Sequence, residues 1–228
     1  MRNYLTEFIG TFFLVLTVGL TVLNGTVLAP LAIGSSLMIM VYMGGQVSGG
    51  HYNPAVSLAV LLRGKMSSVA EFAAYATSQI VGALAAAVTV EALVGRTFAP
   101  APGPHATVTG ALLVELLYTF ALALVVLNSA ASARTQGNSF YGLAIGFTIV
   151  VAAAAGGPVS GGAFNPAVGI GAILVDAAHG GHSLGNLWIY IIGPLAGGAL
   201  AAVVFGIQER PVLALHAEPS KRPESRPA

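Results

Sequence analysis

The sequence predicts an all-α membrane protein: six transmembrane helices plus two re-entrant half-helices, arranged as an inverted repeat. Three observations carry that fold class. Of 228 residues, 56% are hydrophobic and only 7% are charged, against roughly 25% charged in an ordinary soluble domain. Six near-continuous apolar stretches, at 4–23, 30–47, 69–92, 108–128, 139–155 and 184–207, are each about long enough to cross ~30 Å of hydrocarbon as a helix. The tripeptide Asn-Pro-Ala occurs twice, at Asn53-Pro54-Ala55 and Asn165-Pro166-Ala167, each after the same lead-in, Val47-Ser48-Gly49-Gly50 and Val159-Ser160-Gly161-Gly162. A single copy is a common turn or helix start, whereas two matched copies 112 positions apart in an apolar chain point to duplication.

The first stretch begins at residue 4 and lacks a cleavable small-residue site, so it is expected to be retained as a helix rather than removed as a signal peptide. After the second stretch comes the first tripeptide, followed by a short apolar run at 56–62. The second tripeptide stands in the same place in the second half, ahead of 168–175. Both runs are too short to span. Pro54 and Pro166 suit the first turn of a helix, where the missing N–H costs nothing. The two runs therefore predict half-helices that enter from opposite faces and meet near the midplane. Their Gly-rich lead-ins must line a watery cavity, because exposed backbone is prohibitively costly in lipid.

Alignment on the tripeptides brings other segments into register. Glu7-Phe8-Ile9-Gly10-Thr11-Phe12 matches Glu115-Leu116-Leu117-Tyr118-Thr119-Phe120, and Gly82-Ala83-Leu84-Ala85-Ala86 matches Gly197-Gly198-Ala199-Leu200-Ala201. Three spans per half is an odd number, so the second half enters the membrane in the opposite sense and a pseudo-two-fold axis lies in the membrane plane. One domain is expected over 1–208, with repeat halves at about 1–95 and 106–208. Residues 209–228, rich in Pro, Glu, Arg and Ser without apolar periodicity, read as a disordered tail.

Six spans leave both termini on one side. Arg2, Arg63, Lys65, Arg134, Arg210, Lys221, Arg222 and Arg226 then face that side and only Arg96 the other. Short cytoplasmic loops retain Lys and Arg, so both termini, and the tail, are expected in the cytoplasm of a multi-pass inner (plasma) membrane protein. The absence of cysteine removes disulfides and thiolate metal sites. His51 has no second histidine or carboxylate at ligand spacing, so neither a metal nor any other cofactor is expected. No nucleophile–base–acid set argues for an enzyme, and a net charge of +1 offers nothing to nucleic acid.

The paired motifs Ser-Gly-Gly-His51-Tyr-Asn53-Pro-Ala and Ser-Gly-Gly-Ala-Phe-Asn165-Pro-Ala, the repeat-leading Glu7 and Glu115, and six spans with both ends inside resemble the aquaporin, or major intrinsic protein, family. The resemblance covers roughly residues 4–208. It implies a passive channel for water and small uncharged solutes: glycerol-like polyols, urea, ammonia or neutral metalloid hydroxides. It implies that each tripeptide caps a half-helix and that Asn53 and Asn165 project amide donors into the pore. It further implies that Glu7 and Glu115 accept hydrogen bonds from the re-entrant loops and that four copies form a homotetramer in the bilayer; His51, two before Asn53, reads as a loop-supporting or gating contact at the cytoplasmic mouth. The physics agrees, since half-helix N-termini concentrate partial positive charge and disfavour cations. A secondary transporter, the other reading of an inverted repeat with broken helices, would need ion-coupling groups at the midplane, where this chain has asparagine and backbone.

Water-selective members of the family place an arginine directly after the second tripeptide, and this chain has Val168. Counted with the family's spacing, the other constriction positions fall on Ile33, Ala153 and Gly162. The chain thus resembles atypical bacterial members without the filter arginine. Gly169 also stands where glycerol facilitators typically carry aspartate. Val168 brings neither the fixed charge nor the donors of an arginine, so the constriction is expected to be apolar, electrostatically weak and wide.

Overall fold

A computed structural model describes residues 1–209. Eight α-helices follow in order: α1 (Arg2–Asn24), α2 (Ala29–Ser48), α3 (Pro54–Leu62), α4 (Val69–Val94), α5 (Val108–Val126), α6 (Tyr141–Ser160), α7 (Pro166–Ala178) and α8 (Ile189–Gln208). There is no strand among the described residues. Six helices, α1, α2, α4, α5, α6 and α8, are long and apolar enough to cross a membrane. At 9 and 13 residues, α3 and α7 reach only ~13 and ~20 Å at 1.5 Å per residue. All but Glu209 of the tail expected at 209–228 lies outside the described residues.

Periodicity sets which face of each span turns inward. On α1 the buried positions are Glu7, Gly10, Thr11, Leu14, Val15 and Gly19, and on α5 they are Ala111, Glu115, Thr119, Leu122, Ala123 and Val126. That three-to-four spacing is one helical stripe. Leu5 and Phe13 on α1, and Leu113 and Leu117 on α5, stay exposed, as a lipid-facing side does. A span whose outside is as apolar as its inside gains no hydrophobic driving force from packing against another, so close backbone approach must supply the cohesion. The crossing of α2 and α6 shows this. A Cβ on Gly34 would lie 2.5 Å from the Gly146 carbonyl oxygen, and a Cβ on Gly146 would lie 2.5 Å from that of Gly34. The pseudo-two-fold runs between these two glycines.

The halves interlock. α1 packs on α4 and α5 on α8 within each half, whereas α3 lies mainly against α8 and α7 mainly against α4. Each half-helix is thus seated on the last span of the other half. Gly49 and Gly50 (φ 92° and 64°) and Gly161 and Gly162 (φ 88° and 72°) turn the chain back from α2 and α6 toward the centre. Two consecutive left-handed residues are tolerated there because glycine has no Cβ. α6 continues through Gly156-Gly157-Pro158 to Ser160, beyond the apolar stretch that marks it in the sequence. A π-helical turn, Leu127–Ala131, extends α5.

Candidate functional site

The half-helices begin at the two motif asparagines, both in extended conformation (φ −157° and −162°) ahead of a proline. Each side-chain oxygen accepts from the backbone N–H two residues on: Asn53 Oδ1 from Ala55 and Asn165 Oδ1 from Ala167, both at 2.9 Å. This is N-capping, which satisfies one of the donors a helix start leaves free. Ala55 and Ala167 are fully buried, where a larger side chain would force the half-helices apart. The amide nitrogens cross the molecular axis. Asn53 Nδ2 donates to the Phe164 carbonyl at 2.9 Å, and Asn165 Nδ2 donates to the Tyr52 carbonyl at 2.8 Å. Each Nδ2 carries two hydrogens, so one per asparagine remains for another acceptor.

The two lead-in loops hang on two buried carboxyl groups. Glu7 Oε1 accepts from Ser48 Oγ (2.6 Å) and the His51 N–H (3.0 Å), and Oε2 from the Tyr52 N–H (2.7 Å) and Gln79 Nε2 (2.7 Å). Glu115 Oε1 accepts from Ser160 Oγ (2.8 Å) and the Ala163 N–H (3.0 Å), and Oε2 from the Phe164 N–H (2.6 Å). These bonds hold Tyr52 and Phe164 at φ 48°, a left-handed conformation that is unfavourable for a bulky residue and persists only where its surroundings impose it. Tyr75 and Tyr190, on the last span of each half, donate their hydroxyls to the Ser48 and Ser160 carbonyls at 2.8 and 2.5 Å. Sequence reasoning singled out neither tyrosine. Their equal distance from Gly82 and Gly197, which head the matched segments of those spans, was the available signal.

His51 extends the network in one half only. Its Nδ1 lies 3.0 Å from Ser57 Oγ, and Gln79 Nε2 lies 3.0 Å from the same hydroxyl. Gln79 spends its two hydrogens on Glu7 and Ser57, so the Ser57 proton is free for His51 Nδ1. A ring hydrogen on Nε2 would leave Nδ1 to accept it. At the equivalent positions the second half has Ala163, Gly169 and Pro194. His51 stands between the central cavity and a wider one, of about 270 Å³, that also meets Lys65, Glu71 and Tyr75 on the side of the termini.

Between the asparagines lies a cavity of about 30 Å³. Roughly 10–15 Å³ of such space accommodates one water, so it holds about two. Its polar lining is limited to His51, Asn53, Asn165 and nearby backbone, and the remaining wall is aliphatic or aromatic. Of the four constriction positions read from the sequence, Gly162 and Val168 border this cavity, while Ile33 and Ala153 do not. Ile33 and Ala153 are half-buried, one turn farther from the cavity on α2 and α6. No group of three metal-ligating side chains exists among the described residues.

Comparison with known proteins agrees with this architecture. The family model for major intrinsic proteins matches residues 1–205. The glycerol uptake facilitator protein-like 6 of Lactiplantibacillus plantarum is 37% identical, over 89% of this chain and 95% of its own length. Aquaporin NIP1-4 of Oryza sativa subsp. japonica is 37% identical, over 91% of this chain and 77% of its own. The crystal structure of the aquaglyceroporin from Plasmodium falciparum has the same fold, with a TM-score of 0.78 at 22% identity over 90% of this chain and 94% of that one. With the family model running through both repeat halves, the chain belongs to the major intrinsic protein family.

Proposed function

We propose that the chain is a membrane channel, not an enzyme, that passes water and small uncharged solutes down their gradients, with Asn53 and Asn165 as the polar station of the pathway. The observation that carries this is the cavity on the pseudo-two-fold, walled by apolar side chains and bordered by two capped half-helix N-termini. Such termini carry partial positive charge, so a cation is repelled while a neutral solute can place an oxygen against the free amide hydrogens. Among the described residues no charged side chain lines the cavity, which suits cargo that never needs a counter-ion. Among the relatives one is named a glycerol uptake facilitator-like protein and another an aquaporin, and glycerol-like polyols, urea, ammonia and neutral metalloid hydroxides stand beside water as candidate solutes. The excess of Lys and Arg on the terminal side supports cytoplasmic ends in an inner (plasma) membrane protein. The family supports a homotetramer with one pore per subunit.

Stopped-flow light scattering on proteoliposomes, challenged in turn with sucrose, glycerol, urea and a neutral metalloid, tests the reading. The expected result is flux of water and at least one small solute, linear in concentration and excluding sucrose. Saturable flux coupled to an ion gradient would instead identify a carrier.

A further inference from the structure

The central cavity is assembled from residues related by the pseudo-two-fold. Leu14 on α1 answers Leu122 on α5, Leu37 on α2 answers Ile149 on α6, and Val56 answers Val168 directly after the two motifs. Leu37 and Ile149 each lie three residues beyond a glycine of the Gly34–Gly146 crossing, the point where the backbones of α2 and α6 touch. That crossing cannot open without separating two helices, so it holds Leu37 and Ile149 at the axis. One turn farther out the wall changes character. There Ala153 is too small to close an opening, and neither Ile33 nor Ala153 reaches the cavity.

We propose that solute size is selected at the centre of the molecule, by the pairs Leu37/Ile149 and Leu14/Leu122 around the two asparagines, and not one turn farther out on α2 and α6, at Ile33 and Ala153. The inference rests on reading the chain as a channel for neutral solutes. A space for about two waters admits a solute only after most of its hydration is removed. The branched side chains offer no replacement hydrogen bonds, and a hydroxyl left unpaired in such surroundings is costly. Two free amide hydrogens serve a water or a single hydroxyl well, whereas a polyol exposes several hydroxyls at once. The central pairs thus set both the width and the number of hydroxyls that must go unpaired.

The experiment uses the full chain in liposomes and measures water, urea and glycerol permeability for the parent, Leu37→Ala, Ile149→Ala, their double variant and Ile33→Ala. The double variant is expected to raise the glycerol-to-water ratio on the order of tenfold, the change that about 1.4 kcal/mol of barrier produces. Ile33→Ala is expected to shift it far less than Leu37→Ala. Because truncation can destabilise the bundle, Leu37→Phe and Ile149→Val complete the set: the first lowers glycerol flux relative to water, and the second raises it modestly. An unchanged ratio in variants inserted at the parental level, or an Ile33→Ala shift as large as that of Leu37→Ala, overturns the inference while leaving the channel intact. A parent no more permeable than protein-free liposomes overturns the channel reading, and this inference with it.

Discussion

The asparagine side chains each have two tasks, capping a half-helix through Oδ1 and tying it to the opposite loop through Nδ2. Replacing either Asn53 or Asn165 with leucine removes both and places a bulky apolar group on the pathway; permeation of water and solute should be lost while membrane insertion persists, as osmotic assays set against quantified insertion would show. The carboxyl groups separate differently. Glu7→Gln keeps acceptor capacity on one oxygen, while Glu7→Leu leaves the His51 and Tyr52 N–H groups without their partner at ~1–3 kcal/mol per group. Thermal unfolding in detergent should therefore rank parent, Glu7→Gln and Glu7→Leu in falling order. Val168→Arg, placing a cation and several donors at the cavity edge, should reduce glycerol and urea permeability more than water permeability; equal solute-to-water ratios in the two proteins would argue against any selective role for that position. Asn53, Asn165, Glu7 and Glu115 were legible in the sequence because they recur in both halves. Ser57 and Gln79 were not, since their partners exist in one half only. Ile33 and Ala153 were placed by spacing, and spacing locates a residue along a helix without saying how close the wall comes at that height.

Helices were easier to find than their neighbours. All six spans follow from apolar length, and the half-helices follow from a proline start and a run too short to cross. What periodicity does not encode is partner choice: that α3 sits on α8 and α7 on α4 depends on shape complementarity between segments far apart in the chain. The α2–α6 crossing is the most exposed to test among these contacts. Gly34→Val or Gly146→Val sets side-chain carbon against a carbonyl oxygen at a separation no real contact tolerates, and overpacking of this kind costs ~1–3 kcal/mol. Either change should lower the detergent melting temperature, and a Gly34→Val protein that melts with the parent would show that the two helices are not packed this closely.

Taken as a whole, the molecule is two copies of one design facing opposite ways, distinguished mainly by what each placed near its own mouth. Even span count and the distribution of Lys and Arg predict that reporter domains fused to either end will both report the cytoplasm; a split result would refute the inverted arrangement. The overall architecture was readable because duplication writes itself twice, whereas the size of the cavity was not, because it depends on how closely the paired side chains meet across the axis. The opposed half-helices also carry an electrical consequence. Since α3 and α7 present their N-terminal ends to one another at the middle, their dipoles point in opposite senses along the membrane normal and largely cancel across its thickness. Voltage has little net dipole in this pair to act upon. The half-helix pair by itself should accordingly leave any residual leak current equal in magnitude at opposite voltages. Within the central cavity the two-fold is broken in its polar lining by His51 opposite Ala163, and the cavity on the terminal side adds Lys65 and Glu71, so rectification, if a planar bilayer recording reveals it, should be reduced in His51→Ala.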